Sequence, residues 1–152
     1  MGDENIINFP SNETEMPGLG GLVEKSSVTL AIYGRDLVPS EISKLLGTAP
    51  TRSFLRGEKK GSASERGAWL LTENSKSSEG PEQILERLFS KISADSKTIN
   101  NLKAQYEIQL RFVIRMLGYN RGFDISSVLT DKIASLGASI GFSIYSEEDE
   151  NA

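Results

Sequence analysis

The chain has 152 residues, of which 38% are hydrophobic and 25% are charged, and its formal net charge is −4. These values are typical of a single globular domain with a sizeable core, and the negative net charge argues against nucleic acid as a partner. Neither cysteine nor histidine occurs, which excludes disulfides, thiolate catalysis, Ser-His-Asp triads and zinc sites built on Cys and His.

The two ends of the chain differ in composition from its middle. Residues 1–26 are rich in Asn, Glu, Ser, Pro and Gly, so we expect a disordered leader before a single domain over residues 27–146. Residues 147–152 begin with an acidic run and are expected to form a solvated tail. The acidic start does not resemble a secretory signal, and no apolar run reaches membrane-spanning length. We therefore expect a cytoplasmic protein with no membrane partner.

The clearest structural signal lies between Ser27 and Thr51. Branched aliphatic residues alternate with Thr, Ala and Tyr, which predicts a strand with one buried face. A proline suited to a first helical turn follows, then an apolar stripe at i, i+3 and i+4, and a Leu-Gly pair suited to a left-handed C-terminal cap. The residues concerned are Val28, Leu30 and Ile32 in the strand and Pro39, Ile42, Leu45, Leu46 and Gly47 in the helix.

The rest of the chain predicts a hairpin, two further helices and two further strands. Asp95 is also expected to cap a short extra turn. The predicted elements are strands over Thr51–Arg56 and Ala68–Thr72, a helix from Pro81, a strand over Tyr106–Arg115, a helix from Ser126 to Gly137, and a last strand through Ile140, Phe142 and Ile144. The order β-α-β-β-α-β-α-β predicts an α+β two-layer sandwich. Its mostly antiparallel or mixed sheet carries helices on one face and has a ferredoxin-like βαββαβ start.

A cluster of cations is the first candidate for a binding site. Three arginines and two lysines lie between positions 52 and 66, and the glycine-rich loop Gly57–Gly67 would let backbone N–H groups approach an anion. Arg56 or Arg66 could hold a carboxylate or phosphate through two hydrogen bonds. The alternative is a solvated hairpin tip, whose lysines Lys59 and Lys60 oppose edge-to-edge aggregation.

Trp69, the single tryptophan of the chain, is the second candidate. If Leu70 faces the core, Trp69 lies on the opposite face of its strand. Its indole could then lie beside Arg52 or Arg56, where it would stack on a ligand or anchor a protein partner. In the alternative interpretation, Trp69 belongs to the core and Leu70 faces outward. The sequence leaves both interpretations open.

The outer face of the long strand is a third candidate surface. Gln109, Arg111 and Arg115 lie there with Glu107, and they could contact a partner or could simply be solvated. The carboxylates show no spacing that would pair them for acid–base catalysis, and no loop has the spacing of an EF-hand. We therefore expect no catalytic residue, no metal and no cofactor.

One set of positions links the chain to a known family. The positions are Gly34, Leu37, Pro39, Ile42, Leu45, Leu46, Gly47, Pro50, Thr51, Arg56, Gly57, Glu58, Gly67, Trp69, Leu136, Gly137 and Tyr145. With them the chain resembles an uncharacterised bacterial family, domain of unknown function 4279, over roughly residues 27–146. Most of these are turn or core residues, but Arg56, Gly57, Glu58 and Trp69 are exceptions, since core packing does not require a charged triplet. The resemblance implies a small, cytoplasmic bacterial protein whose family has no established activity.

Together these observations predict a non-enzymatic binding module whose partner is another protein. The predicted contact residues are Arg52, Arg56, Gly57, Glu58, Arg66 and Trp69. A specific version is an immunity-type protein, whose negative charge would complement a basic nuclease toxin. The alternative is a regulatory domain that binds an anion or another small molecule at the loop over residues 56–67.

Overall fold

The structure is a computed structural model that describes residues 23–58, 65–76, 79–117 and 122–147. The described elements are β1 (Val23–Gly34), α1 (Pro39–Leu46), β2 (Arg52–Phe54), β3 (Gly67–Asn74), α2 (Pro81–Ser90), α3 (Ser96–Gln105), β4 (Glu107–Leu117), α4 (Ser127–Leu136) and β5 (Ser139–Glu147). The predicted leader up to residue 22, the lysines at 59 and 60, and the tail from residue 148 lie outside the described residues.

The described strands form one sheet in the order β2-β3-β1-β4-β5. The pairs β2–β3, β3–β1 and β1–β4 are antiparallel, whereas β4–β5 is parallel. β3 lies between β1 and β2, and β1 lies between β3 and β4, so the chain from β1 to β4 forms two interlocked split βαβ units. The predicted α+β class is therefore confirmed, and the element order matches apart from one additional helix, α3.

One face of the sheet carries the helices and the core. α2 packs against β1 and β3, α1 packs against β3, and α3 packs against α4. The inward side chains of β1 and β4 alternate as their sequence predicts. The buried residues include Val28, Leu30 and Ile32 of β1, Ile108, Leu110, Phe112 and Ile114 of β4, and Ile84, Leu85 and Leu88 of α2. None of the helices in the described part of the chain combines the length and hydropathy needed to cross a membrane.

The ends of the helices follow local capping chemistry. The Asp95 carboxylate accepts a hydrogen bond from the Thr98 N–H at 2.8 Å. This cap begins a full helix, α3, rather than the short turn expected from the sequence. α1 and α4 both end in a Leu-Gly pair, and Gly47 and Gly137 adopt the left-handed φ values of 72° and 64° that such a cap requires.

β1 begins at Val23, four residues before the expected start of the domain. Its register with β4 shifts between Glu24 and Ser27, and Lys25 has a φ of 53°. Such a bulge adds a residue to one strand and breaks the alternation of side chains. The first residues of the strand therefore show no period of two in the sequence.

Candidate functional site

The side chain of Trp69 lies in the core, as one of the two interpretations of the sequence had it. It has no exposed surface, and its indole N–H donates a hydrogen bond to the Ser43 hydroxyl of α1 at 3.0 Å. That hydroxyl in turn donates to the Pro39 carbonyl at 3.1 Å. The expectation of an exposed indole is therefore corrected: Trp69 anchors α1 to the sheet and cannot contact a partner.

Arg52 and Trp69 lie on opposite faces of the sheet. In the register of β2 with β3, Ser53 pairs with Trp69 and Arg52 pairs with Leu70. Directly paired residues share a face, and neighbours along a strand alternate between faces. Arg52 therefore points away from the helix layer, and the expected surface that combined its guanidinium with the indole does not form.

The triplet Arg56-Gly57-Glu58 forms a tight turn. The Glu58 N–H donates to the Leu55 carbonyl at 3.1 Å, and the Leu55 N–H donates to the Glu58 carboxylate at 2.7 Å. Gly57 has a φ of 88° at the third position of the turn, which only glycine adopts without strain. Turn geometry therefore accounts for two members of the triplet, Gly57 and Glu58, without a role in binding.

The two other arginines of the predicted site interact with different acidic residues. Arg56 is half-exposed, with its guanidinium 4.0 Å from the Asp36 carboxylate in the turn after β1. Arg66 forms an ion pair with Glu107 and lies over the Tyr33 ring, with its guanidinium carbon 4.5 Å from the ring centroid. Arg66 is therefore already neutralised within the chain. The loop residues 59–64 that would complete the predicted anion site lie outside the described residues.

The open face of β4 carries a row of polar side chains that bond to one another. The Gln109 amide donates to Glu107 at 2.8 Å, and the Arg111 guanidinium donates to Gln109 at 2.9 Å. The hydrogen bonds from Gln109 and Arg66 lower the pKa of the Glu107 carboxyl. This row is internally satisfied, and a carboxylate held in its charged form offers no proton for acid catalysis.

An ion cluster joins the end of β3 to α2. The Glu73 carboxylate is almost buried, and it contacts the Arg87 guanidinium at 3.2 Å as well as the Lys91 ammonium. Burial alone would raise the pKa of Glu73, but the hydrogen bonds and charges of Lys91 and Arg87 outweigh burial and lower it. Arg87 also pairs with Glu79. The cluster connects β3 to α2, and both of its carboxylates, Glu73 and Glu79, are paired with a cation.

A groove of about 520 Å³ lies between α3 and α4. Its walls include the apolar residues Phe89 and Ile99 and the lysines Lys103 and Lys132. The Lys103 ammonium donates to the Ser135 carbonyl at 3.3 Å, near the end of α4. None of the residues predicted to bind a partner lines this groove. Within the described ranges, no group of three or more acidic residues could hold a metal ion.

The last strand, β5, exposes a row of large apolar side chains. Its register with β4 places Phe142 beside Phe112, so the even-numbered side chains of β5 lie on the helix-bearing face. In contrast to the buried residues of β4, Ile140, Phe142 and Ile144 are 45%, 50% and 58% exposed. We call these three residues the β5 stripe.

Aromatic side chains cover only the inner side of the β5 stripe. The Phe142 ring stacks on Phe112 at 5.0 Å between centroids and lies 6.2 Å from the ring of Phe123. The buried residues of α4 belong to the core cluster that covers β4. Nothing in the described ranges covers the outer side of the stripe.

The outer edge of β5 lacks the features that usually prevent an edge strand from pairing with a strand of another molecule. Natural edge strands are usually short, or they carry a charge, a proline or a bulge. β5 has nine residues, and the stretch from Ala138 to Ser146 contains no charged residue and no proline. At the other edge, β2 has three residues and includes Arg52. A long, uncharged edge with apolar side chains is a surface on which another strand can pair.

The sequence predicted β5 as a strand but did not identify this surface. The alternation of Ile140, Phe142 and Ile144 is the same as in β1 and indicates one buried face. The one available signal was the long uncharged stretch at the end of the domain, which a solvated edge strand seldom has.

Comparison with known proteins identifies the family of the chain. A family model described as a domain of unknown function (DUF4279) matches residues 24–147. No curated protein and no solved structure matches the chain. Because the family model covers most of the sequence, the chain belongs to this family of unassigned function, as the resemblance had implied.

Proposed function

We propose that this member of the DUF4279 family is a protein-binding module that pairs the outer edge of β5 with an extended strand of its partner. The observation that carries the proposal is the β5 stripe, three large apolar side chains beside a sheet edge that has no strand neighbour in the described structure. In strand addition, main-chain hydrogen bonds supply affinity and alternate side chains supply specificity.

The size of the β5 stripe indicates what such a partner must provide. Full burial of an Ile or Phe side chain is worth roughly 1.5–3 kcal/mol, so covering the exposed half of three such residues contributes roughly 3 kcal/mol. The loss of translational and rotational freedom on association costs about 4–15 kcal/mol. Side-chain burial alone is therefore insufficient, and the partner must also form backbone hydrogen bonds along β5.

The cluster of cations between positions 52 and 66, together with Trp69, supports a binding role less well than β5 does. Trp69 is buried, Arg66 is paired with Glu107, and Arg52 lies on the face opposite the indole. The partner proposed here is still a protein, as expected from the sequence, but its contact surface is the β5 edge.

We further propose that the protein binds its partner without catalysing a reaction, and that it is located in the cytoplasm of bacteria. The chain contains neither of the residues that most often act as base or nucleophile near neutral pH, His and Cys. The lack of cysteine also suits a reducing compartment, and the bacterial origin rests on the family resemblance.

The test compares three tagged full-length baits in lysate of the native host. The baits are wild type, Ile144→Lys, and Val128→Lys as the matched control. Val128 is 64% exposed on α4, so it offers a similar apolar side chain away from β5. We expect the specific partner to be retained by wild type and by Val128→Lys and to be lost from Ile144→Lys, because an inserted charge opposes pairing at an edge.

Amide hydrogen exchange of the purified complex then locates the contact. We expect new protection within Ser139–Glu147 and unchanged exchange in β2. Equal retention of the partner by all three baits, or protection that avoids β5, would show that the module binds through another surface.

A further inference from the structure

We infer that the strand that pairs with β5 is β5 of a second copy of this chain, so that the protein is a symmetric dimer with one continuous sheet. This inference rests on the strand addition proposed above and names its partner. The alternatives are a different protein and the chain's own residues 1–22, and the experiments below distinguish them.

Antiparallel pairing of β5 with β5 of a second copy gives every side chain of the β5 stripe an apolar neighbour. A two-fold axis perpendicular to the sheet can pass between the two copies of Phe142. It then sets Phe142 opposite Phe142 of the second copy, and Ile140 opposite Ile144 of the second copy. Directly opposed residues share a face of the sheet and lie within contact distance. Each exposed apolar side chain of the stripe therefore meets another one, and the helix layers of both copies lie on the same side.

The same register is sterically compatible on the open face. It sets the large Tyr145 opposite the small Ser139 of the second copy, and Ser143 opposite Gly141. A Cβ atom placed on Gly141 would meet no atom within 4 Å, so there is space at this position. On the open face each Tyr145 therefore meets a small residue, and the remaining pairs are small on both sides.

The charge distribution also favours a second copy. Identical strands pair poorly when they carry charges, because like charges then face each other, and the stretch from Ala138 to Ser146 has none. In this register the backbone at Glu147 passes Gly137 of the second copy. The Lys103 side chain packs against Gly137, since a Cβ built there would lie 3.1 Å from it. The backbone at the end of β5 thus passes close to a lysine of the second copy.

Self-pairing also explains how association stops at two copies. An isologous contact uses the same patch on both partners and closes on itself. The doubled sheet then ends on both sides at β2, which is three residues long and includes Arg52. Such a short, charged edge resists further addition. The net charge of −4 per copy opposes association only weakly at physiological salt, where the Debye length is about 8 Å.

The first experiment measures the mass of the full chain by light scattering and sedimentation from low to high micromolar concentration. We expect a shift from 16.6 kDa to twice that mass. Val128→Lys should dimerise as wild type does, whereas Ile144→Lys should weaken dimerisation at least tenfold. Wild type that remains monomeric at high micromolar concentration would overturn the inference.

The second experiment tests the register with complementary charges. Ile140→Lys and Ile144→Glu should each weaken self-association, since each places a charge opposite an isoleucine. In a mixture of the two variants, the introduced ammonium should face the introduced carboxylate, and the second pair should remain isoleucine with isoleucine. Native mass spectrometry should therefore show the mixed dimer in excess over either homodimer. Dimers that are insensitive to both substitutions, or a mixture without excess heterodimer, would exclude this register. Circular dichroism confirms that both variants are folded.

These outcomes separate the inference from the proposed function. A monomeric wild type that still loses a lysate partner on Ile144→Lys would exclude the second copy and leave strand addition intact. A chain that dimerises only after removal of residues 1–22 would identify those residues as the occupant of β5 and would also overturn the inference. A dimer whose amides in β5 gain no protection would overturn the inference and leave β5 open to a different protein.

Discussion

The two edges of the sheet show how the same kind of strand becomes either core or surface. On one side, β2 is short and β3 beside it is buried, since α1 and α2 cover it and the Trp69 indole bonds to Ser43. On the other side, β5 has the same alternating pattern as the central strand β1, yet half of each Ile140 and Phe142 side chain is exposed. The difference is the helix layer, which covers β3 and ends above β4.

The two sides of the molecule differ in how far their apolar side chains are covered. The β2 side, which comprises β2, β3, α1 and α2, is held together by packing, the Trp69–Ser43 hydrogen bond and an ion cluster. The β5 side keeps apolar surface exposed at an edge that could be covered by a partner. Substitutions on the β2 side should therefore change stability, and substitutions in the β5 stripe should change association.

Within the β2 side, the largest effect is expected at Trp69. Trp69→Ala removes a fully buried indole and its hydrogen bond to Ser43, and it should lower the free energy of unfolding by about 4 kcal/mol. Urea denaturation followed by circular dichroism measures this loss. Trp69→Phe keeps most of the apolar volume and should cost clearly less. A loss below about 1 kcal/mol for the alanine variant would mean that the indole is not packed as described.

The second effect is expected at Glu73, with a defined pH dependence. Glu73→Gln removes the charge that pairs with Arg87 and Lys91, and should cost about 2 kcal/mol at pH 7. The folded state holds the pKa of Glu73 below its ordinary value of 4.5. The stabilisation is therefore present above pH 4.5 and is lost as the pH falls through the lower folded value. Urea denaturation at a series of pH values should show the difference from wild type shrinking below pH 4.5.

Glu41→Gln is the control for that measurement. Glu41 is an exposed carboxylate on α1, so its substitution should change the stability at pH 7 much less than Glu73→Gln does. A Glu73 variant with an equally small effect would show that the ion cluster does not stabilise the fold.

A smaller effect is expected at Gly57 in the turn after β2. Gly57→Ala meets no atom within 4 Å, but the φ of 88° is strained for alanine, so the expected cost is about 1 kcal/mol. Gly122→Ala is the matched control, because that site is equally open and has no positive φ. Thermal unfolding of the two variants should differ in midpoint. Equal midpoints would contradict the turn geometry assigned to the Arg56-Gly57-Glu58 triplet.

The smallest effect on stability is expected in the β5 stripe. Ile144→Lys replaces a side chain that is mostly solvated, so for the monomer the free energy of unfolding should change by less than about 0.5 kcal/mol. Denaturation at low protein concentration, where the chain is monomeric, measures this change. Ile32→Lys, the equivalent substitution on the buried face of β1, should prevent folding. If Ile144→Lys were equally damaging, the stripe would belong to the core and the contrast between the two edges would disappear.

Trp69 shows why the binding residues were harder to predict than the fold. β3 carries apolar residues on both faces, with Ala68 and Leu70 on one and Trp69 and Leu71 on the other, so its pattern does not indicate which face is buried. The answer depends on α1, whose Ser43 accepts the indole hydrogen bond. That contact joins positions 26 residues apart, and no local pattern encodes it.

The cationic cluster shows a related difficulty. Residues between positions 52 and 66 are close along the chain, but β2 and the turn after it send Arg52 to the open face and Arg56 towards Asp36, while Arg66 reaches Glu107. The alternation of side chains in a strand separates neighbours in sequence. Proximity along the chain was therefore a poor guide to proximity in space.

The amino-acid sequence alone determined the type and order of the elements apart from α3, the caps at Asp95, Gly47 and Gly137, and the buried faces of β1 and β4, because these depend on residues within a few positions of one another. Only the tertiary structure decided which strand lies at each edge and which apolar face the helices leave uncovered. These features arise from contacts between distant segments. For that reason identical alternation places Ile32 in the core and Ile144 at the surface.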